Sequence, residues 1–243
     1  MKAYYIKTCT SAQDLILLLK NRVLSIPDEQ KAIDYLSNIG YFRLSAYLYP
    51  LLKEPKESHL YKAGVTFDMA LDMYRFDRKL RILLFNEIEK IEVAIRSAMN
   101  NGITNALNDV FWMTNSVYFN NQTIFTKTVT LIKSEIDKSK EEFIEHFINK
   151  YSNTFPPTWM ISEIIPLGVL YNIFNNLKSK SLKKKIAAYF GIALPAFTSW
   201  MLILSNLRNL CGHHIRIWNK EISLIAANRK TIYSRGLIVL LQI

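Results

Sequence analysis

From Asp68 to Asn101 the chain contains neither glycine nor proline. Within that stretch Phe76, Leu80, Leu83, Leu84, Ile88, Ile91, Ile95 and Met99 recur mainly at steps of three and four, the period of a helix with one apolar stripe. Residues 67–101 therefore predict a helix on the order of 50 Å long at 1.5 Å per residue. A helix of that length is long for a globular domain and predicts the spine of a bundle. Glu89, Glu92 and Arg96 follow one another on one face of it. Two readings stand: a surface pair between Glu92 and Arg96, or a polar line that faces and orients another helix.

The flanking sequence agrees with a helical fold. Ser11 to Asp14 resembles a capping box, and "LILLLKNRV" continues as a helix. Ile26-Pro27-Asp28 starts a second helix, which Gly40 ends. The aromatic segment "YFRLSAYLYPLL" follows, then a polar loop over residues 53–66. Beyond the long helix, residues 102–122 read as a loop with short turns and 123–151 as an amphipathic helix stopped by "FPPTW". Residues 161–177 read as a helix kinked near Pro166, "KSKSLKKK" as a basic helix start, and 195–219 as a further helix. The expected fold is an all-α bundle over residues 67–243, with a helical extension over 1–66.

Half the residues are hydrophobic, and Gly and Pro number only 7 each, so a sizeable core is available and turn-rich β architecture is disfavoured. The net charge of +11 favours a polyanionic partner such as nucleic acid, or else reflects a solvated lysine-rich surface. Cys9 and Cys211 suggest no disulfide framework. The N-terminal residues lack the continuous apolar segment of a signal peptide. The longest apolar run, from Ile192 to Leu204, is interrupted by Pro195, Thr198 and Ser199. A soluble cytoplasmic protein without a membrane partner is expected.

"RNLCGHHIRIWNK", Arg208 to Lys220, concentrates the chemistry. Placed on one helix, Leu207, Leu210, His214 and Ile217 form an apolar stripe, and Asn209, His213, Arg216 and Lys220 a polar, basic one. On that geometry His214 points into the core and His213 toward the basic face. Arg208 lies about 140° around from His213, within reach of a shared phosphate through its long side chain. Cys211, His213 and His214 are ligand types, but their compact spacing does not match a zinc site. No P-loop, dinucleotide fingerprint or paired C-x-x-C is present, so neither a metal nor a cofactor is expected.

This stretch resembles the R-N-x-x-x-H-H-x-R-x-W-N segment of Abi-like proteins, the bacterial abortive-infection group. "KAIDYLSNIGYFRLSAYLYPL", "FDRKLRILLFNEIEKIEVAIRSAM" and "PPTWMISEIIPLGVLYNIFNNL" resemble three further blocks of that family, in the same order. The resemblance covers most of residues 11–220 and implies membership of the HEPN superfamily: helical bundles that often dimerise, many of them metal-independent ribonucleases with an R-x(4–6)-H motif. Arg208 and His213 match that pair, and Asn209 matches the polar residue after the arginine. The implied function is anti-phage defence through an endoribonuclease leaving 2′,3′-cyclic phosphates. RNA is the implied partner, together with a homodimer and an antitoxin or phage trigger. Arg216, Lys220 and Arg43 are candidate RNA contacts; His214, Glu89, Glu92 and Arg96 are candidate supports. Tyr41, Phe42, Tyr47 and Tyr49 read either as base-stacking groups or as packing. The alternative function is a non-catalytic binder of structured RNA in a defence or toxin–antitoxin system.

Overall fold

The computed structural model describes Tyr4 and residues 9–220. Among these the fold is all-α, with ten α-helices and no strand. The N-terminal helices are α1 (Ala12–Asn21), α2 (Glu29–Ile39) and α3 (Tyr41–Leu48), and α4 (Phe67–Leu107) is the long one. There follow α5 (Gln122–Lys138), α6 (Glu142–Lys150), α7 (Thr158–Ile164), α8 (Leu167–Asn176), α9 (Lys180–Tyr189) and α10 (Leu194–Gly212). They belong to two compact units. Of the described residues, one holds those up to Ile82 together with Arg216–Trp218, and the other holds Leu83–Ile215 with Asn219 and Lys220.

The first unit is organised by helix punctuation. Ser11 and Asp28 cap α1 and α2, their side chains accepting from the amides of Asp14 and Lys31. Leu19, Ala32, Leu44, Leu48 and Leu71 bury completely or nearly so in its core. Gly40 joins α2 to α3 at φ +86°, ψ 142°, a conformation L-residues rarely adopt. A Cβ there would meet nothing within 4 Å, so only backbone strain opposes it. Gly40→Ala is expected to cost about 1–3 kcal/mol, read as a lower urea midpoint at unchanged m-value.

The second unit packs α4, α5, α7, α8, α9 and α10 around Ile95, Met99, Ile103, Trp112, Phe119, Ile161, Leu170, Phe174 and Met201. Two helices expected to be continuous are broken in two. Extending α5 by one turn beyond buried Ile136 would place Lys140 on the core stripe, and the chain turns out at Ser139 instead. Pro166 separates α7 from α8, because it cannot donate to the carbonyl one turn back.

The stripe on α4 also differs from its expected register. From Leu84 onward it is as anticipated, with Ile88, Ile95 and Met99 buried. Before that, Phe76 and Leu83 are exposed. The inward positions there include Asp77 and Arg81, which continue the helical spacing toward Leu84 and Ile88 with polar residues. No single described helix is long and apolar enough to cross a membrane; α9 and α10 pass only as a pair bent by 72°. The apolar C-terminal "TIYSRGLIVLLQI" lies outside the described residues.

Candidate functional site

In α10 the buried side chains Phe197, Met201 and Ser205 follow the helical repeat, and Arg208 is the next residue on that line. Gly168 of α8 permits the close packing here, since a Cβ on it would stand 3.0 Å from the Ser205 hydroxyl. Arg208 thus leaves the core edge with its guanidinium partly in solvent. Its Nε lies 3.8 Å from Glu92 Oε2, and its guanidinium carbon 5.8 Å from the centre of the Phe85 ring. These are a loose ion pair and a cation–π contact, which orient the group without consuming its outer donors.

Glu92 is held in turn by Arg96, and Arg96 by α7. The Arg96 side chain is almost fully buried. It pairs with Glu92 and donates to the carbonyls of Ser162 and, at 2.9 Å, Ile165. Ser162 would ordinarily receive the amide four residues on, but that residue is Pro166. The guanidinium supplies the missing donor and caps the orphan carbonyls of a helix C-terminus. Of the two readings of Glu89, Glu92 and Arg96, the orienting one describes the latter two. Glu89 is exposed.

The motif does not continue as a helix. α10 stops at Gly212, and His214 takes the left-handed conformation at φ +56°. The His214 amide donates to Cys211 O at 3.0 Å and the Ile215 amide to Leu210 O at 2.9 Å, the paired bonds of a Schellman stop. Histidine is among the residues that tolerate this conformation. The two stripes expected over Leu207–Lys220 therefore end at the stop. His214 does not enter the core; it is exposed, as is His213, the cap residue, whose amide donates to Asn209 O at 3.0 Å. Asn209 and Lys220 are exposed and Cys211 is buried. A Cβ on Gly212 would make only ordinary contact with Phe85, at 3.7 Å, so close approach does not explain this glycine. Among the described residues no group of three or more His, Cys, Asp or Glu is placed to hold a metal ion.

Residues 216–218 belong to the first unit. Arg216 is half-buried and donates to Ala46 O at 2.6 Å, so part of its fork is already engaged. The amides of Ile217 and Trp218 both donate to Asp77 Oδ1, at 3.2 and 2.8 Å. Asp77 Oδ2 accepts from the Tyr47 hydroxyl at 2.5 Å and pairs with Arg81. Burial, then the bond to Asp77, pushes the Tyr47 phenol up to about 12. Tyr47 is therefore a packing and hydrogen-bonding residue; Phe42, Arg43 and Tyr49 are exposed.

Asp77 and Arg81 escape sequence reasoning; Tyr47 does not, and of its two readings packing is the one that describes it. The available signal was an Asp–Arg pair at i, i+4 on the buried register of α4, masked by the competing apolar residues Phe76 and Leu83. The site as a whole presents a carboxylate-oriented arginine and, five residues on, an exposed imidazole at a helix stop. The arginine can hold an anion and the imidazole can donate or accept a proton.

Neither a curated protein nor a solved structure matches the chain. A family model does, that of the Abi-like proteins, over residues 34–219. The matched span takes in α3, the Asp77 and Glu92 clusters of α4 and the R-N-x-x-x-H-H-x-R-x-W-N stretch from Arg208 to Asn219, and the chain belongs to the Abi-like protein family.

Proposed function

We propose that this protein is a metal-independent endoribonuclease of the HEPN type, acting in abortive infection. The observation that carries this reading is the partly exposed Arg208 guanidinium, oriented by Glu92 and followed by the exposed His213 at the end of the same helix. Cleavage by the neighbouring 2′-hydroxyl needs a base for that proton, an acid for the departing 5′-oxygen and positive charge on the phosphorane. His213 serves as base or acid. Arg208 holds the phosphate oxygens. A second histidine comes from a two-fold partner, which brings two motifs together. Exposed Phe85 and Val93 provide apolar surface beside Glu92 on α4, and Phe85 touches Arg208 itself. This supports a dimer seated there.

The test is incubation of purified protein with RNA in EDTA, with analysis of the product ends. Cleavage to 2′,3′-cyclic phosphate and 5′-hydroxyl ends is expected. Tight, salt-sensitive RNA binding with no cleavage would favour the non-catalytic RNA-binding reading instead.

Charge segregation supports RNA as the partner in either case. Residues 164–220 contain no acidic residue, but include Lys178, Lys180, Lys183, Lys184, Lys185, Arg208, Arg216 and Lys220. On α9, Lys180, Lys184 and Lys185 are exposed, and burial together with the charge of Lys180 pushes Lys183 down. Exchanging Lys180, Lys184 and Lys185 together for glutamine is expected to weaken RNA binding. The slope of log K against log[salt] should become shallower by about 0.7 for each phosphate of a single strand that the variant no longer neutralises. An unchanged slope in a filter-binding titration would remove α9 from the RNA surface.

A further inference from the structure

We infer that Phe85 is a specificity residue: its ring stacks an unpaired nucleobase beside the phosphate that Arg208 holds, which makes unpaired RNA the substrate class. This rests on the endoribonuclease reading for the phosphate. Its geometry lies wholly within the second unit, to which Phe85, Arg208, Gly212 and His213 all belong.

Phe85 is 38% exposed on α4. An apolar ring left in water forgoes the free energy of burial, and this one stands beside a cation suited to an anion. The Arg208 guanidinium carbon lies 5.8 Å from the ring centre. A single nucleotide spans that separation, with its phosphate on the guanidinium and its base on the ring. Stacking on an aromatic side chain needs only the π-face of the base. Exposed Glu89, one turn further along α4, therefore does not oppose that end of the nucleotide.

Gly212 points the same way. It lies in the last turn of α10, where glycine weakens a helix relative to alanine. Its φ is outside the left-handed region, and the residue is exposed. A Cβ on it would meet only Phe85 Cε2 within 4 Å, at 3.7 Å. Neither backbone strain nor crowding calls for a glycine here. A longer side chain, however, would reach over the ring from α10. The glycine keeps that approach open, one residue before His213.

A base lies on the ring only after leaving its own stack. In a duplex each base is covered by its neighbours, and double-stranded RNA is read by shape and backbone. The ring thus selects unpaired nucleotides, with little preference for sequence, because every base has a π-face.

The probe is a short single-stranded oligonucleotide with 2′-fluoro sugars, which cannot be cut by 2′-hydroxyl attack. In a matched series each base in turn is removed to leave an abasic site. Affinities are measured for the parent, Phe85→Leu, Phe85→Trp and Gly212→Leu, with the oligomeric state of each from sedimentation. For the parent, loss of one particular base should weaken binding by roughly 5- to 150-fold. In Phe85→Leu and Gly212→Leu that same loss should change little, the coupling that a double-mutant cycle isolates. Phe85→Trp should retain the sensitivity. A parent indifferent to every abasic site, or a sensitive position that stays sensitive in Phe85→Leu, would overturn the proposal. So would a Phe85→Leu protein that becomes monomeric and binds every oligonucleotide equally poorly, which assigns the ring to the dimer interface. A parent that cleaves natural RNA but has no sensitive position keeps the nuclease reading and loses this one. A parent that cleaves nothing loses the nuclease reading, and the abasic series alone decides the role of the ring.

Discussion

Arg96→Met should destabilise the protein by about 3–5 kcal/mol, the usual result of breaking a buried ion pair from one side. Methionine fills much of the same volume, so reduced packing contributes little. What disappears is a set of donors. The carbonyls of Ser162 and Ile165 and the largely buried Glu92 carboxylate all depend on that guanidinium. None has an easy substitute, because Pro166 cannot donate to Ser162 and Arg208 reaches Glu92 only at 3.8 Å. The double variant Arg96→Met, Glu92→Met removes the orphaned charge and should recover part of the loss, leaving the cost of the two carbonyls. Urea unfolding of the parent, both single variants and the double variant closes the cycle. A cost below about 1 kcal/mol for Arg96→Met would show that water replaces the guanidinium freely and that Glu92 is not held from this side.

The largest effect on activity is expected at His213. His213→Ala should slow RNA cleavage by about 10²- to 10⁴-fold, the range that general acid–base catalysis supplies. Folding should be little changed, since the side chain is exposed and the cap bond to Asn209 uses the backbone. His214→Asn is the informative neighbour. Asparagine tolerates the left-handed conformation of the helix stop, so this variant should fold and cleave close to the parent rate. Equal loss in both variants would mean that the stop, rather than one imidazole, is what cleavage requires. Mixed chains carrying Arg208→Ala and His213→Ala add a separate reading. If two motifs share one site, the mixture regains cleavage that neither variant shows alone.

The helical architecture is legible in the sequence because it rests on period and punctuation. The long helix follows from its unbroken apolar repeat, and the starts at Ser11 and Asp28 from side chains suited to capping. The pairing of Glu92 with Arg96 is legible as spacing, but its purpose is not. Nothing local reveals that Ser162 lacks an amide partner until Pro166 is seen to occupy the position that would supply it. The end of α10 is hidden for a related reason. Leu207, Leu210 and Ile217 have helical spacing whether or not the helix continues, and a histidine at the left-handed position is a weaker stop signal than a glycine. Asp77 lies on the buried face of α4, but exposed Phe76 and Leu83 draw a hydrophobic count one register away. The purposes of Arg96 and Asp77 both turn on backbone groups satisfied by a side chain distant in sequence, which no window of neighbouring residues can show.

The helix stop also sets how the motif can tolerate changes in length. Arg208 is addressed by angle: one residue added between Ser205 and Arg208 would turn it by about 100° away from Glu92. His213 is addressed by where the chain leaves the helix. A residue added beyond Gly212 would lengthen the exit and leave the arginine aimed as before. The two halves of the motif therefore answer to different rulers, one rotational and one linear. A spacing of four to six residues between arginine and histidine, as in the motif this segment resembles, is what such an arrangement can absorb.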